Sequence, residues 1–159
     1  MPPDPLLGEP AGVDATFSTA GVRFRFWGSE AELAGSGEDL HRLRSRLSVE
    51  ARTPVTAEVS GDGNGTVILE QVGRPGPLRI TFDERSRRLL IEGDDRTLPI
   101  FWAALEPDEV AGVESDSAVP RHVHLEYLGE GDDEWRAPDT LPLVVVARPS
   151  PAQATADTA

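Results

Sequence analysis

Apolar and polar positions alternate with period two at the start of the patterned region. Val22, Phe24 and Phe26 point one way and Arg23, Arg25 and Trp27 the other, which predicts a half-buried strand. A short extended piece at 30–34 follows. Ser36 then opens a helix: Asp39 three residues on completes a capping-box signature, and Glu38 and Asp39 lie where the positive end of the helix dipole favours carboxylates. Leu40, Leu43 and Leu47 recur at i, i+3 and i+7, so a narrow stripe faces the core and His41, Arg42, Arg44 and Arg46 face solvent. Residues 51–64 lead through Gly61-Asp62-Gly63-Asn64-Gly65 to a strand at 66–72, and the Gly61 to Thr66 loop reads as a flexible connection before it. Two further strands, 78–84 and 87–92, are predicted to form a hairpin around Glu84 to Arg87, with Leu78, Ile80 and Phe82 inward. A second helix is expected from about Asp94 to Glu106. It must stop before Pro107, because the residue preceding a proline is pushed out of the α region. Its apolar face, Leu98, Phe101, Trp102 and Leu105, is broader than that of the first helix. The last strands are expected at 121–128 and 141–148.

A weak internal repeat emerges when Gly35 is laid on Gly93. Leu33 then falls on Ile91, Ser36 on Asp94, Leu40 on Leu98, Leu43 on Phe101 and Leu47 on Leu105. So simple a pattern also arises from fold geometry alone, and Pro99 opposite His41 breaks it. Either the second helix starts nearer Thr97 or its first turn is irregular. The pattern predicts an α+β fold: one mixed or mainly antiparallel sheet of about six to seven strands with two helices on one face, and the repeat suggests two related strand-helix halves. Residues 1–20 and 149–159 are rich in proline, glycine and small residues without periodicity, so both are expected to be disordered around a single domain at 21–148.

With 159 residues and 38% apolar content, the chain has enough material for one core. The formal charge is −13 and the pI near 4.5, which repels phosphate backbones and favours a basic protein as partner over nucleic acid. No cysteine is present, which removes disulfides and thiolate chemistry. No apolar run approaches a membrane span, and Met1-Pro2-Pro3-Asp4-Pro5 lacks the order of a signal peptide, so the expected location is cytoplasmic. Between Glu106 and Asp139 eleven acids face two arginines, which places −9 of the net charge in one segment. That segment is a candidate docking surface for a cationic partner, with Tyr127 and Trp135 as aromatic anchors among Glu126, Glu130, Asp132, Asp133, Glu134 and Asp139. An acidic loop that only keeps a small domain soluble has the same composition.

Motifs for chemistry are sparse. On a strand, His122, His124 and Glu126 share one face and could hold a divalent metal, as in two-His-one-carboxylate sites; a polar outer face gives the same pattern. The Gly61 to Thr66 loop lacks the lysine of a phosphate loop. Read as a calcium loop from Asp62, it has Val67 in place of glycine and Gly73 in place of glutamate. No Gly-x-Ser-x-Gly elbow occurs. No cofactor is expected.

His122-Val123-His124-Leu125-Glu126-Tyr127-Leu128, an acidic loop ending in an aromatic, and the turn Ala137-Pro138-Asp139-Thr140 leading into Leu141-Pro142-Leu143-Val144-Val145 together resemble the C-terminal part of the immunity protein 32 family of bacterial polymorphic toxin systems. Upstream, Glu32-Leu33-Ala34-Gly35-Ser36 to Leu47 and Leu89-Leu90-Ile91-Glu92-Gly93-Asp94 to Leu105 look like the family's two strand-glycine-helix elements, extending the resemblance over roughly 22–148. The resemblance implies a cytoplasmic, non-catalytic protein that binds and neutralises a cognate toxin domain. The rival expectations are a metal-dependent enzyme using His122, His124 and Glu126, and a small module acting through self-association.

Overall fold

The computed structural model describes residues 17–49, 54–62, 65–106, 121–126 and 135–148. In chain order the elements are β1 (Phe17–Phe26), β2 (Ala31–Ser36), α1 (Gly37–Val49), β3 (Val55–Ser60), β4 (Thr66–Gly73), β5 (Arg79–Asp83), β6 (Arg88–Gly93), α2 (Leu98–Ala104), β7 (Arg121–Leu125) and β8 (Leu143–Arg148). The fold is α+β, and its single mixed sheet has eight strands, larger than the six or seven expected. Their order is β5-β6-β4-β3-β1-β2-β8-β7. Consecutive strands form four antiparallel hairpins, and three parallel pairings, β4 with β6, β1 with β3 and β2 with β8, join the hairpins into one sheet.

The unexpected strand is β3. Val55, Ala57 and Val59 alternate inward between polar residues, and the small Ala57 leaves that alternation faint in the sequence. β1 begins at Phe17, five residues before the alternation becomes visible at Val22, and β7 ends at Leu125, leaving Glu126 outside it.

The sheet order repeats itself. β5-β6-β4-β3 and β1-β2-β8-β7 have the same sequence of antiparallel, parallel and antiparallel pairings. The chain therefore runs twice through strand, strand, helix, strand, strand, and each half takes its second hairpin from the other. The register agrees with the alignment of Gly35 on Gly93: Phe24 faces Leu33 in one half as Ile80 faces Ile91 in the other. All eight apolar positions of the aligned stripes, from Leu33 with Ile91 to Leu47 with Leu105, are buried in one shared core.

Related short-range bonds precede both helices. Ser36 Oγ accepts from Asp39 N at 3.1 Å, the first bond of the box expected from sequence, and the hydroxyl donates to the Asp39 carboxylate at 2.9 Å. In the second half Asp94 Oδ1 accepts from Thr97 N at 3.0 Å and Thr97 Oγ1 accepts from Asp94 N at 2.9 Å, a reciprocal pair that closes the turn before α2, whose N-cap Thr97 makes no side-chain cap bond of its own. The tight turn 95–97 precedes Leu98, so α2 covers only Leu98–Ala104, shorter than the predicted 94–106. Pro99 stands in its first turn, where no intrahelical amide is lost.

The sheet is curled around the helices. β1 and β5 are four strands apart in the order, about 19 Å at the usual strand spacing. Yet the Phe82 ring of β5 lies 4.7 Å from Phe24 and 5.0 Å from Phe26 of β1. Inside the curl, Gln71 of β4 is fully buried; its amide donates to the Leu47 carbonyl at 2.9 Å and accepts from Trp102 Nε1 at 2.7 Å. One side chain thus satisfies a carbonyl in the last turn of α1 and an indole of α2. Glu106, just beyond α2, takes His41 and Arg44 of α1 as partners, which ties the helices a second time. No helix among the described residues is long and apolar enough to cross a membrane.

Candidate partner-binding surface

The segment 135–141, between β7 and β8, is fastened along the outer side of β5. Leu78 N donates to Trp135 O and Ala137 N to Leu78 O at 2.7 and 2.8 Å; Leu141 N donates to Ile80 O at 2.7 Å. Ile80 N reaches the buried Thr140 hydroxyl at 2.7 Å, and Arg79 Nε pairs with Asp139 Oδ1 at 3.0 Å. Ala137-Pro138-Asp139-Thr140 makes the predicted turn: Thr140 N donates to Ala137 O, and proline at the second position presets φ. A strand edge that would otherwise present bare amides and carbonyls is covered in this way.

This fastening leaves Trp135 at the surface, 36% exposed, with the Arg96 guanidinium 4.7 Å from its ring centroid. Arg96 is positioned in turn by Asp94, whose Oδ1 accepts from Arg96 N at 2.8 Å. The Arg96 amide, then that of Gly76, then the amide and hydroxyl of Thr97 hold the Asp94 carboxyl below its ordinary value of 3.8, against the opposing effect of burial. The carboxylate thus organises the start of α2 and places the cation over the exposed indole.

Beside the fastened segment, Phe26 and Phe82 form a half-buried ridge between two hollows. The larger, about 360 Å³, lies between the β1–β2 turn at Gly28 and Ser29 and the stretch Asp139 to Pro142. The smaller, about 180 Å³, has Phe24, Phe26, Phe82 and Val67 for its apolar lining, with Asp62, Glu84 and Arg87 around them. Arg87, at φ 54°, donates from Nε to Thr66 O at 3.0 Å and lays its guanidinium against Gly61 and Gly65. A Cβ on Gly65 would stand 2.7 Å from Arg87 Cζ, so the loop read as a flexible connection is a fitted seat for an arginine. Trp27 is 49% exposed on the outer face with Arg25 at 5.2 Å from its centroid.

Of the residues singled out in the sequence, Trp135 and Asp139 share the fastened segment, and Glu126 is exposed one residue beyond the Leu125–Leu143 pair. Tyr127, Glu130, Asp132, Asp133 and Glu134 lie outside the described residues. His122 and His124 are exposed on the outer face with ring centroids 5.2 Å apart, edge to face. Among the described residues no group of three or more histidines or carboxylates is placed to hold a metal ion. The Phe26–Phe82 ridge escaped the sequence reading because its members are far apart in the chain; the alignment of Gly35 on Gly93 places Phe26 on Glu84, and only the strand pairing of Phe26 with Ala31 and of Phe82 with Leu89 brings the two rings to equivalent positions.

Compared with known proteins, the chain matches no family model and no curated protein.

Proposed function

We propose that this chain is a non-catalytic binding protein of the immunity type, which neutralises a basic toxin domain by covering it. The observation that carries the reading is Trp135: a large aromatic held at the surface by a main-chain bond to Leu78, next to β5, on a chain of net charge −13. Anchors of protein interfaces are rigid aromatics of this kind, and fixing the ring before encounter reduces the entropy lost on binding. The resemblance of residues 22–148 to immunity protein 32 sequences supports the same reading, with the acidic region from Glu106 to Asp139 as the attracting surface and the cytoplasm as the place of action.

The test is co-expression with any toxin-like domain encoded by a neighbouring gene, scored by cell survival, with complex formation measured on purified proteins. Long-range attraction accelerates encounter while buried contacts set lifetime, so raising salt should slow association far more than it changes dissociation. Trp135→Ala should act mainly on dissociation. Failure to bind or protect, or turnover of a small molecule by the purified chain, would refute the proposal.

A further inference from the structure

We infer that the smaller hollow beside Phe26 and Phe82 receives an arginine side chain of the basic partner. The inference rests on the immunity-type reading and adds a site to it. The apolar lining consists mainly of phenyl rings, which attract a guanidinium by cation–π interaction and also pack against its alkyl stem. Two carboxylates border the hollow. Glu84 is exposed and makes no hydrogen bond or ion pair among the described residues, and Asp62 reaches only Arg25, at 3.6 Å. Among the described lining residues the cation is Arg87, and it is already committed: its Nε is bonded to Thr66 O and its guanidinium lies against Gly61 and Gly65, making a wall of the hollow. An aromatic floor with an unused carboxylate is complementary to a delocalised cation with forked donors. Lysine, a compact and strongly hydrated charge, suits it less.

The experiment titrates the full chain, carrying ¹³C-labelled phenylalanine, with a capped hexa-arginine peptide at physiological salt. A hexa-citrulline peptide of the same shape and no charge is the control. Saturable shifts of the Phe26 and Phe82 ring signals with arginine and none with citrulline are expected. Glu84→Gln and Asp62→Asn, both at exposed positions, should each weaken that binding several-fold. Equal binding of citrulline would show that the hollow takes an apolar group and would overturn the inference. So would shifts confined to Trp135, or spread evenly over the acidic surface, or unchanged affinity in both variants. These outcomes leave the immunity-type reading standing. Conversely, specific arginine binding by a chain that fails to protect against the toxin would keep the site and remove that reading.

Discussion

Replacing Gln71 by leucine tests how the two helices are held inside the curled sheet. The leucine occupies nearly the same volume, so packing is preserved while two polar groups lose their partner: the Leu47 carbonyl at 2.9 Å and the Trp102 indole at 2.7 Å. A buried group left without its partner costs about 1–3 kcal/mol. Gln71 and Leu47 are fully buried, whereas Trp102 is half-buried and its indole N–H regains part of its loss from water. The expected destabilisation is therefore about 2–4 kcal/mol, a large share of the roughly 5–15 kcal/mol that holds a domain together. At about 4 °C per kcal/mol for a chain of this length, the midpoint of thermal unfolding should fall by about 8–16 °C. Urea unfolding followed by tryptophan fluorescence gives the free energy directly. Trp102→Phe removes one donor, and combining it with the leucine variant should give a loss smaller than the sum by about 1 kcal/mol, because both remove the same bond. A leucine variant within about 0.5 kcal/mol of the parent, well below the loss expected for a buried group, would refute this account. Strictly additive losses in the double variant would refute it too.

Three other outcomes follow from the geometry. Gly65→Ala should displace the Arg87 guanidinium, the far end of an exposed and flexible side chain, and so destabilise by no more than about 0.5 kcal/mol, with Gly61→Ala acting in the same direction; denaturant midpoints check both. Ser36→Ala removes the acceptor for Asp39 N and should cost about 1 kcal/mol in the same assay. The carboxyl of Asp94 is depressed in the folded chain, so its contribution to stability is present above its unfolded value and is lost as pH falls through the lower folded value. A plot of melting temperature against pH should accordingly lose part of its acid limb below about pH 4 in an Asp94→Asn variant, and an unchanged limb would contradict the assignment.

Local elements were legible because their causes are local. The cap at Ser36, the Leu40-Leu43-Leu47 stripe, the outward placement of Arg23, Arg25 and Trp27, and the turn at Ala137-Pro138-Asp139-Thr140 each depend on a few adjacent residues, and each stands as read. Where a neighbour far along the chain decides, the sequence was silent. Gly61 to Gly65 looked like a loose link because its occupant, Arg87, comes from another hairpin. Gln71 sits at an inward position of β4 where an apolar residue is expected, and only the approach of Leu47 and Trp102 explains it. The parallel pairing of β2 with β8, across more than a hundred residues, has no local signature. The acidic surface was legible only as composition, since Glu130, Asp132, Asp133 and Glu134 lie outside the described residues.

The candidate surface lies where the internal repeat breaks. By the correspondence of the halves, β1 matches β5 and β3 matches β7. β1 pairs with β3 in parallel, so a complete repeat would pair β5 with β7 and close the sheet into a ring. β7 does not take that place. Segment 135–141 takes it, bridging in parallel at Leu78 and Arg136 before it enters β8. A regular strand there would have committed its side chains to alternate faces of a closed wall. The irregular segment, with a proline turn and only intermittent bonds, satisfies the edge and still turns Trp135 outward and Asp139 toward the phenylalanine ridge. The first half, whose edge pairs β1 with β3 through one register shift between Thr19 and Arg23, presents no equivalent of Trp135 on its strand β3. The proposed function accounts for a fold that departs from its own rule at one edge and places an exposed aromatic there. Restoring regularity there, by Pro138→Val with Asp139→Thr, exchanges the preset turn and the Arg79 ion pair for strand pairing; stability should change little, and under the proposed function binding of the basic partner should weaken.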